Sequence, residues 1–325
     1  MPTRGLTKWQ VGTESQWGTS VTATAKLMGM QDGAAIQADN RSNIYPDVRD
    51  SLAPAYLAGI EQRAGKGTYD MLATFEDVLY IFDNAFGQAS PTGTGPYVRA
   101  YAAPLGTAPS PRILTFIHGN SQTGGGIYKL EGGLVNSIKL SGATGKPTML
   151  SGDLIGKDVA TGAFAALSDR TVEVIMGQPW VVYYDAWAGT IGTTQLTTTA
   201  VAFDLTVNLN RKLVWSLDSL TPDTYEHNPW DGKLSLTLRF NATAKTEVDT
   251  IVAQTTVYQR QIRLKQTSGT KIFQVDFAGT LLAPPQTYDD QDGVLTVKLE
   301  FDGTYNSALA NWLAASVTNS VTTVV

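Results

Sequence analysis

The chain offers few side chains that could carry out chemistry. It has no cysteine and only two histidines, so a thiolate nucleophile is excluded and a zinc site is not expected. His118 lies in "FIHGN", which is similar to an oxyanion segment of hydrolases, but no G-x-S-x-G supplies the nucleophile. We expect His118 to be a turn or core residue, and His227, in "TYEHNPW", to be an interface residue. The sequence therefore predicts no enzyme, no cofactor and no metal.

Three short segments partly match ligand-binding loops. "GATGKPT", 142–148, lacks the spacing of a phosphate-binding loop and has Pro147 where Ser or Thr belongs, so we interpret it as a hairpin turn. "QRAGKGT", 62–68, fails similarly, because alanine replaces the first glycine of its pair. "YDDQDG", 288–293, has Tyr288 at the first ligand position of a calcium loop, so an acidic turn before a strand is the better interpretation.

Composition limits the class of protein. The 325 residues suffice for one large domain or two ordinary ones, and 42% are hydrophobic, as in proteins with a buried core. Only 16% are charged, and 31 glycines together with many Thr and Val favour β structure and turns. The net charge of −5 argues against tight wrapping of nucleic acid, although like charge would keep DNA from sticking to a surface past which it slides. Without a signal peptide or a transmembrane run, we expect a soluble protein that folds in a cytoplasm and does not insert into membranes.

Strict alternation of apolar and polar residues predicts three long strands, each with one buried and one wet face. They are "GVLTVKLEFDG" (293–303), "GKLSLTLRFNA" (232–242) and "AFDLTVNLNRK" (202–212). In the first, the side chains expected in the core are Leu295, Val297, Leu299 and Phe301. A slip of one residue would move this whole set to solvent, so the strand register should be well specified.

Two segments change from the alternation of a strand to the periodicity of a helix. In "TYDMLATFEDVLYIFDNAFG" we predict a helix that Thr74 caps, with Asp77 at the third helical position and Gly87 as the stop. Its apolar stripe comprises Phe75, Val78, Leu79, Phe82 and Phe86. In "KLSLTLRFNATAKTEVDTIVAQ" either Asn241 or Thr243 can cap the second helix. The stripe of that helix comprises Val248, Ile251 and Val252.

Further strands and loops surround these helices. We predict strands at "RILTFIHG", "GIYKLEGGLVNSIKLSG" (with a Gly-Gly turn), "TMLSGDLIGKD", "RQIRLKQ" and "KIFQVDFAG". Residues 88–110, rich in Pro, Gly and Thr, are predicted to form a loop. Residues 39–67 and 214–233 are predicted as longer loops, of a size that is usually functional.

The elements follow the same order in both halves of the chain: strand, long loop, strand, helix, several strands. We therefore predict a mainly β (α+β) fold with two tandem modules, 23–165 and 166–317, divided near 159–178. Each module is a mostly antiparallel sheet with one flanking helix and one long loop. Residues 1–22 form an N-terminal arm that either docks on another molecule or is an ordered strand on the chain's own core. Residues 318–325 form a C-terminal tail.

Several phrases together resemble one protein family. They are "VGTESQWGTSVTATAKLMGM", the helix "FEDVLYIFDNAFG", "GLVNSIKLSG" and the ending "DGVLTVKLEFDGTYNSALANWLAASVTNSV". With the loop-rich middle, they resemble the major tail tube proteins of long-tailed, non-contractile (siphovirus-type) bacteriophages over nearly the whole chain. The segments "GTSVTAT" and "VTNS" carry most of the resemblance.

This resemblance implies a structural virion protein with tail-tube-like β-sandwich or barrel modules. Copies would form rings whose sheets join into an inner barrel, and stacked rings would conduct DNA. The implied partners are other copies of the chain, the tape measure protein and the translocating DNA, and the implied location is the phage tail after synthesis in the host cytoplasm. Two modules per chain favour a homotrimeric ring with pseudo-sixfold symmetry, with a homohexamer as the next choice.

In this interpretation the two long loops make contacts between subunits or between stacked rings. Prolines stiffen both loops, and the first of them carries charges of both signs. The candidate contact residues are Asp47, Arg49, Asp50, Glu61, Arg63, Asp223, Glu226, His227 and Trp230.

A different class of function is the alternative: a carbohydrate-binding or carbohydrate-cleaving β-sandwich. Such proteins are also rich in Thr, Gly and Trp, and aromatic side chains can stack on sugars. A pair of carboxylates for glycoside cleavage is defined by distance, which the sequence does not give. The size of the protein in solution separates the two classes, because an assembler forms rings or filaments.

Overall fold

The computed structural model of the protein describes residues 4–45, 57–285, 289–291 and 293–324. Strands make up 51% of the structure, and two α-helices lie in the described residues. Eighteen of the described strands are joined in a large antiparallel sheet, and the other four form two separate hairpins. The predicted mainly β fold class is therefore confirmed.

The strands and helices have the following bounds. In the first half the strands are β1 (Thr7–Thr13), β2 (Ala25–Leu27), β3 (Ala35–Ala38), β4 (Arg41–Tyr45), β5 (Leu57–Gln62), β6 (Gly65–Leu72), β7 (Tyr97–Ala102), β8 (Leu114–Asn120), β9 (Ile127–Val135), β10 (Ser137–Ala143), β11 (Met149–Gly156) and β12 (Asp158–Thr161). In the second half they are β13 (Trp180–Ala186), β14 (Ala200–Asn208), β15 (Lys212–Val214), β16 (Thr224–Glu226), β17 (Asp231–Arg239), β18 (Tyr258–Ser268), β19 (Lys271–Leu281), β20 (Asp289–Gln291), β21 (Val294–Gly303) and β22 (Leu313–Asn319). The helices are α1 (Val78–Phe86), after β6, and α2 (Ala242–Ala253), after β17.

One antiparallel array, which we call the long sheet, has the strand order β3-β6-β11-β10-β14-β17-β21-β20. The three strands predicted from alternation are β14, β17 and β21, and they are neighbours in it. Their buried apolar side chains are Phe203, Leu205, Val207, Leu234, Leu236, Leu238, Val297, Leu299 and Phe301. The prediction for Leu295 is wrong, because it is 44% exposed. At that point β21 pairs with the short strand β20 at the end of the sheet.

The remaining long strands form two arrays, β2-β1-β8-β9-β12 and β13-β18-β19-β22-β7. Each array meets the long sheet at a corner, where β9 pairs with β11 and β19 pairs with β21. The rings of Tyr184 and Tyr258, from the second array, lie 6.1 and 6.4 Å from the ring of Phe301 in the long sheet. One hydrophobic core therefore spans the arrays and the long sheet.

The two halves of the chain repeat the same pairing scheme. In the first half, β1-β8-β9-β12 and β3-β6-β11 are joined by the corner between β9 and β11. In the second half, β13-β18-β19-β22 and β14-β17-β21 are joined by the corner between β19 and β21. Short hairpins also correspond: β4–β5 lies between β3 and β6, and β15–β16 lies between β14 and β17. Strand β10 precedes β11 as β20 precedes β21.

Helix α1 is buried on every side, whereas the sequence predicts a single apolar stripe. All of its residues except Phe86 are buried. Both halves of the chain cover it: the ring of Phe82 lies 5.4 Å from that of Tyr101 in β7 and 5.7 Å from that of Phe273 in β19. Gly87 ends the helix with a positive φ of 107°, as predicted.

Helix α1 begins later than predicted, at Val78, with Asp77 as its N-cap instead of at the third helical position. The Thr74 hydroxyl accepts a hydrogen bond from the Asp77 N–H at 2.9 Å. The Asp77 carboxylate does not complete a capping box, because it accepts hydrogen bonds from the N–H groups of Met28 and Gly29 instead. It therefore attaches the segment after β2 to the start of the helix.

Helix α2 lies on the surface. Of the two predicted caps, Asn241 is the one used, and its side chain accepts from the Ala244 N–H at 3.0 Å. Val248 and Ile251 are buried as predicted, but Val252 is 75% exposed. No helix in the described part of the chain is long and apolar enough to cross a membrane.

Several predicted loops contain strands. Residues 39–67 hold the hairpin β4–β5, residues 214–233 hold β16, and residues 88–110 hold β7, which pairs with β22. Their alternation is too short or too exposed to be visible in the sequence. The predicted Gly-Gly turn is also wrong: Gly132 and Gly133 lie inside β9, where the pairing with β8 shifts register.

The N-terminal arm is the ordered alternative. Strand β1 lies between β2 and β8, and Trp9 is buried with its ring stacked 4.4 Å from that of His118. The C-terminal tail also packs on the body, because Arg99 donates hydrogen bonds to the carbonyls of Val321 and Thr322. Ala165 of the predicted dividing segment is held to β1 by two hydrogen bonds with the Gln10 side chain.

Candidate functional surfaces

Four adjacent strands of the long sheet carry polar side chains on the side away from the core, and we call this side the polar face. It comprises Lys139 and Ser141 (β10), Asp204 and Thr206 (β14), Lys233, Ser235 and Thr237 (β17), and Lys298, Glu300 and Asp302 (β21). All of these except Asp302 line a concave depression of about 710 Å³. The alternation that buries one side of each strand places these groups together on the other side.

The charges of the polar face are balanced. Its ion pairs are Lys139–Asp204 (3.0 Å), Lys233–Asp302 (3.4 Å) and Lys298–Glu300 (2.7 Å). The hydrogen bond from Lys298 lowers the pKa of Glu300, so this carboxylate is ionised at neutral pH. Three lysines of the polar face therefore pair with three carboxylates, and Lys146, which also lines the depression, adds one further positive charge.

The hairpin β4–β5, which we call the projecting hairpin, pairs with no other strand of the described residues. Its exposed apolar side chains are Ile44 (65%), Leu57 (49%) and Ile60 (53%). Apolar groups on an element that stands apart from the core are typical of a contact surface. The projecting hairpin is therefore a candidate for contact with another molecule.

The predicted contact residue Glu61 ties the two strands of this hairpin together. It pairs with Arg41 at 2.9 Å and accepts hydrogen bonds from the Asn43 amide and the Tyr45 hydroxyl, both at 3.1 Å. The bond from Asn43, followed by that from Tyr45, lowers the pKa of Glu61. The predicted contact residues Asp47, Arg49 and Asp50 lie outside the described residues.

Arg63 brings the two predicted loops together. Its guanidinium binds both carboxylate oxygens of Asp158, at 3.2 and 2.9 Å, and its backbone N–H donates to the Leu220 carbonyl at 2.8 Å. The base of the projecting hairpin therefore adjoins the segment 215–220 of the second loop. Leu220 is 52% exposed, which extends the apolar surface at this place.

The hairpin β15–β16, which we call the inner hairpin, packs on the other half of the same chain. At its base the buried guanidinium of Arg211 donates to the carbonyls of Asn84 (3.1 Å), Ala85 (2.6 Å) and Val135 (2.8 Å). Two of these carbonyls belong to the last turn of α1, where positive charge is favoured by the helix dipole. Nothing in the sequence around Arg211 distinguishes it from a solvated arginine.

The other predicted contact residues of the second loop divide into two groups. His227 accepts a hydrogen bond from the Arg211 Nε at 3.4 Å, and burial, then Arg211, lowers the pKa of His227 to about 4. The ring of Trp230 lies 5.4 Å from that of Phe86. These two side chains therefore contact their own chain, whereas Asp223 and Glu226 are exposed.

The C-terminal end of α2 is open where that of α1 is covered. Val252 and Val257 are 75% and 66% exposed. They adjoin a depression of about 590 Å³ that is lined by Trp187, Thr250 and residues 253–260. The two helices occupy equivalent places in the pairing scheme, so this difference marks a second candidate contact surface.

Other kinds of site find little support in the described residues. They contain no group of three or more His, Cys, Asp or Glu side chains placed to hold a metal ion. All seven tryptophans are described and each is buried or half-buried, whereas Tyr128 and Tyr305 are 49% and 55% exposed. Comparison with models of known protein families and with curated proteins finds no match for the chain.

Proposed function

We propose that the protein is a structural virion protein, the subunit of stacked rings that form the tube of a long-tailed, non-contractile phage tail and conduct DNA. The observation that carries this proposal is the long sheet, which ends in the short edge strands β3 and β20 and has the polar face along one side. Unpaired edges make a protein prone to strand pairing with other chains. Closure of several copies into a ring uses both edges. The resemblance of the sequence to tail tube proteins points the same way.

The repeated pairing scheme supports two tandem modules in one chain. The modules are those of 23–165 and 166–317, with β1 added to the first. The pairing of β10 with β14 makes their sheets continuous. In the proposed ring the polar face lines the lumen, where it meets the tape measure protein and then DNA. Because its three lysines are paired with carboxylates, the polar face would hold the polyanion only weakly.

We expect purified protein to form rings of three chains, and stacked tubes at higher concentration. Each chain supplies two of six equivalent modules, so duplication halves the number of chains that complete one turn. Negative-stain microscopy shows the rings, and mass measurement of the smallest ring gives the number of chains. Six chains per ring would contradict the duplicated arrangement, and a protein that remains monomeric at all concentrations would contradict the proposed function.

Reversing charge on the polar face should turn the proposed lumen into a DNA trap. We expect tubes of the double variant Asp204→Lys/Glu300→Lys to retain short duplex DNA about tenfold better than the native protein at low salt, and to release it at high salt. Asp249→Lys, on the exposed side of α2, adds positive charge elsewhere as a control. Nuclease digestion locates the DNA: protection in the double variant but not in the control fits a lumen, and complete digestion in both places the polar face outside.

A further inference from the structure

We propose that neighbouring copies join through the same two contacts that join the two halves of one chain. Strand β20 of one copy pairs with β3 of the next, and the projecting hairpin of that next copy packs on the C-terminal end of α2 of the first. This inference rests on the proposed assembly into rings and names the surfaces that meet. The two surfaces differ, so the contact is head-to-tail and repeats until a ring closes.

The two halves are equivalent in residue register as well as in strand order. Strands β6 and β17 each contain a Gly-Lys pair, at 65–66 and 232–233. When Gly65-Lys66 is aligned with Gly232-Lys233, the residues of β11 and β21 that pair across the two corners also align. The corner pairs are Leu154↔Val135 in the first half and Phe301↔Leu281 in the second. The paired residues of β6, β11 and β9 in the first half therefore coincide with those of β17, β21 and β19 in the second.

This register predicts which residues meet between copies. Within the chain, β10 and β14 join the halves, and Ser141 pairs with Asp204. Strand β20 is equivalent to β10, and in the aligned register Asp289 corresponds to Ser141. Strand β3 is equivalent to β14, and Ala35 corresponds to Asp204. The equivalent contact between copies therefore pairs Asp289 of one copy with Ala35 of the next.

Both edge strands are open to such pairing. Across the described part of the chain, β3 pairs only with β6 and β20 pairs only with β21. Three of the four residues of β3 are exposed, and so are Asp289 and Asp290 of β20. Each strand therefore presents backbone donors and acceptors along one side, which is the requirement for adding a strand from another copy.

The hairpins supply the second contact. Arg211 and Trp230, which flank the inner hairpin, cover the end of α1, where Arg211 binds the last carbonyls and Trp230 contacts Phe86. The projecting hairpin is the equivalent of the inner hairpin in the first half, and within the described residues it covers no helix end of its own chain. Its exposed Ile44, Leu57 and Ile60 match the exposed valines at the end of α2. Packing these groups together removes apolar surface of both copies from water.

The absence of native cysteine makes a direct test possible. In the assembled double variant Asp289→Cys/Ala35→Cys, oxidation is expected to link most chains into dimers and trimers on a non-reducing gel. The pair Ser141→Cys/Asp204→Cys calibrates the same geometry, because it should link only within one chain. The pair Asp289→Cys/Ala38→Cys is displaced by three residues, about 10 Å along a strand, and should give at least fivefold less product.

Point variants test the hairpin contact with the same readout. Ile60→Asp and Val257→Asp should each lower the yield of linked chains at least fivefold without changing the melting temperature of the monomer, because both side chains are exposed. Leu105→Asp, at a side chain that is 57% exposed, should leave the yield unchanged. Rings without the Asp289–Ala35 link would overturn this inference and leave the proposed function standing. A protein that never assembles would overturn both.

Discussion

Replacing Arg211 with methionine is expected to lower the free energy of unfolding by about 3–5 kcal/mol. Arg211 is 3% exposed, and its guanidinium donates to the carbonyls of Asn84, Ala85 and Val135. Within the described residues it forms no ion pair, so these carbonyls and the end of α1 are what compensate its charge. Burial lowers the pKa of Arg211 to about 10, which leaves it charged at neutral pH. Methionine fills much of the space but leaves the carbonyls unpaired.

Urea unfolding of matched variants checks this expectation. Arg211→Lys keeps the charge but loses the forked geometry, so its loss should fall between the native protein and Arg211→Met. Arg239→Met removes an exposed arginine and should change stability by less than about 0.5 kcal/mol. If Arg211→Met does not fold, the stability lost in Arg211→Lys still measures what the forked hydrogen-bond geometry contributes. A loss of under about 1 kcal/mol in Arg211→Met would show that the carbonyls find other partners.

The sequence predicts the core strands well because each of them has one buried side. In β17 the apolar residues Leu234, Leu236 and Leu238 alternate without interruption, and all three are buried. The same burial keeps the register of the strand, because a slip by one residue would expose all three. The order of elements in the two halves is visible for the same reason.

The edge strands, the two hairpins and the β10–β14 junction between the halves are not predictable in this way. Strand β7 buries Arg99 and Tyr101, so its alternation does not look apolar. Among the described residues, the projecting hairpin buries neither side, and its exposed Ile44 and Ile60 form no pattern that a strand template detects. Charge balance on the polar face depends on which strands are neighbours, and that is a property of the topology.

The surroundings of α1 and α2 differ, although the two helices follow equivalent strands. Helix α1 is covered by β7, β19 and the residues that flank the inner hairpin, whereas α2 has an open side. Residues that cover a helix end from a distance, such as Trp230 over Phe86, lie far from that helix in the sequence. The described residues of one chain do not cover the end of α2 in this way, and in the proposed ring the projecting hairpin of the next copy covers it.

Replacing Asp77 with alanine is expected to cost about 3–5 kcal/mol, because it would leave a buried set of donors without their acceptor. One carboxylate oxygen accepts from the N–H groups of Met28 (2.8 Å) and Gly29 (3.2 Å), and the other pairs with Arg170. Asp77 is fully buried, and it joins the start of α1 to two other parts of the chain. Asp249→Ala, at an exposed pair with Lys245, should cost less than about 1 kcal/mol.

The pH dependence of stability gives a second readout for Asp77. Burial raises the pKa of Asp77 above its ordinary value, against the opposing effects of Arg170 and the two N–H groups. A raised pKa means that the folded state binds the proton more tightly than the unfolded state. Tighter proton binding at Asp77 therefore stabilises the folded state below the ordinary pKa of about 4. This stabilisation is lost as pH rises through the raised pKa of the folded state. Urea unfolding across this window should show the native protein losing stability relative to Asp77→Asn, and a relative gain with rising pH would contradict the expected sign.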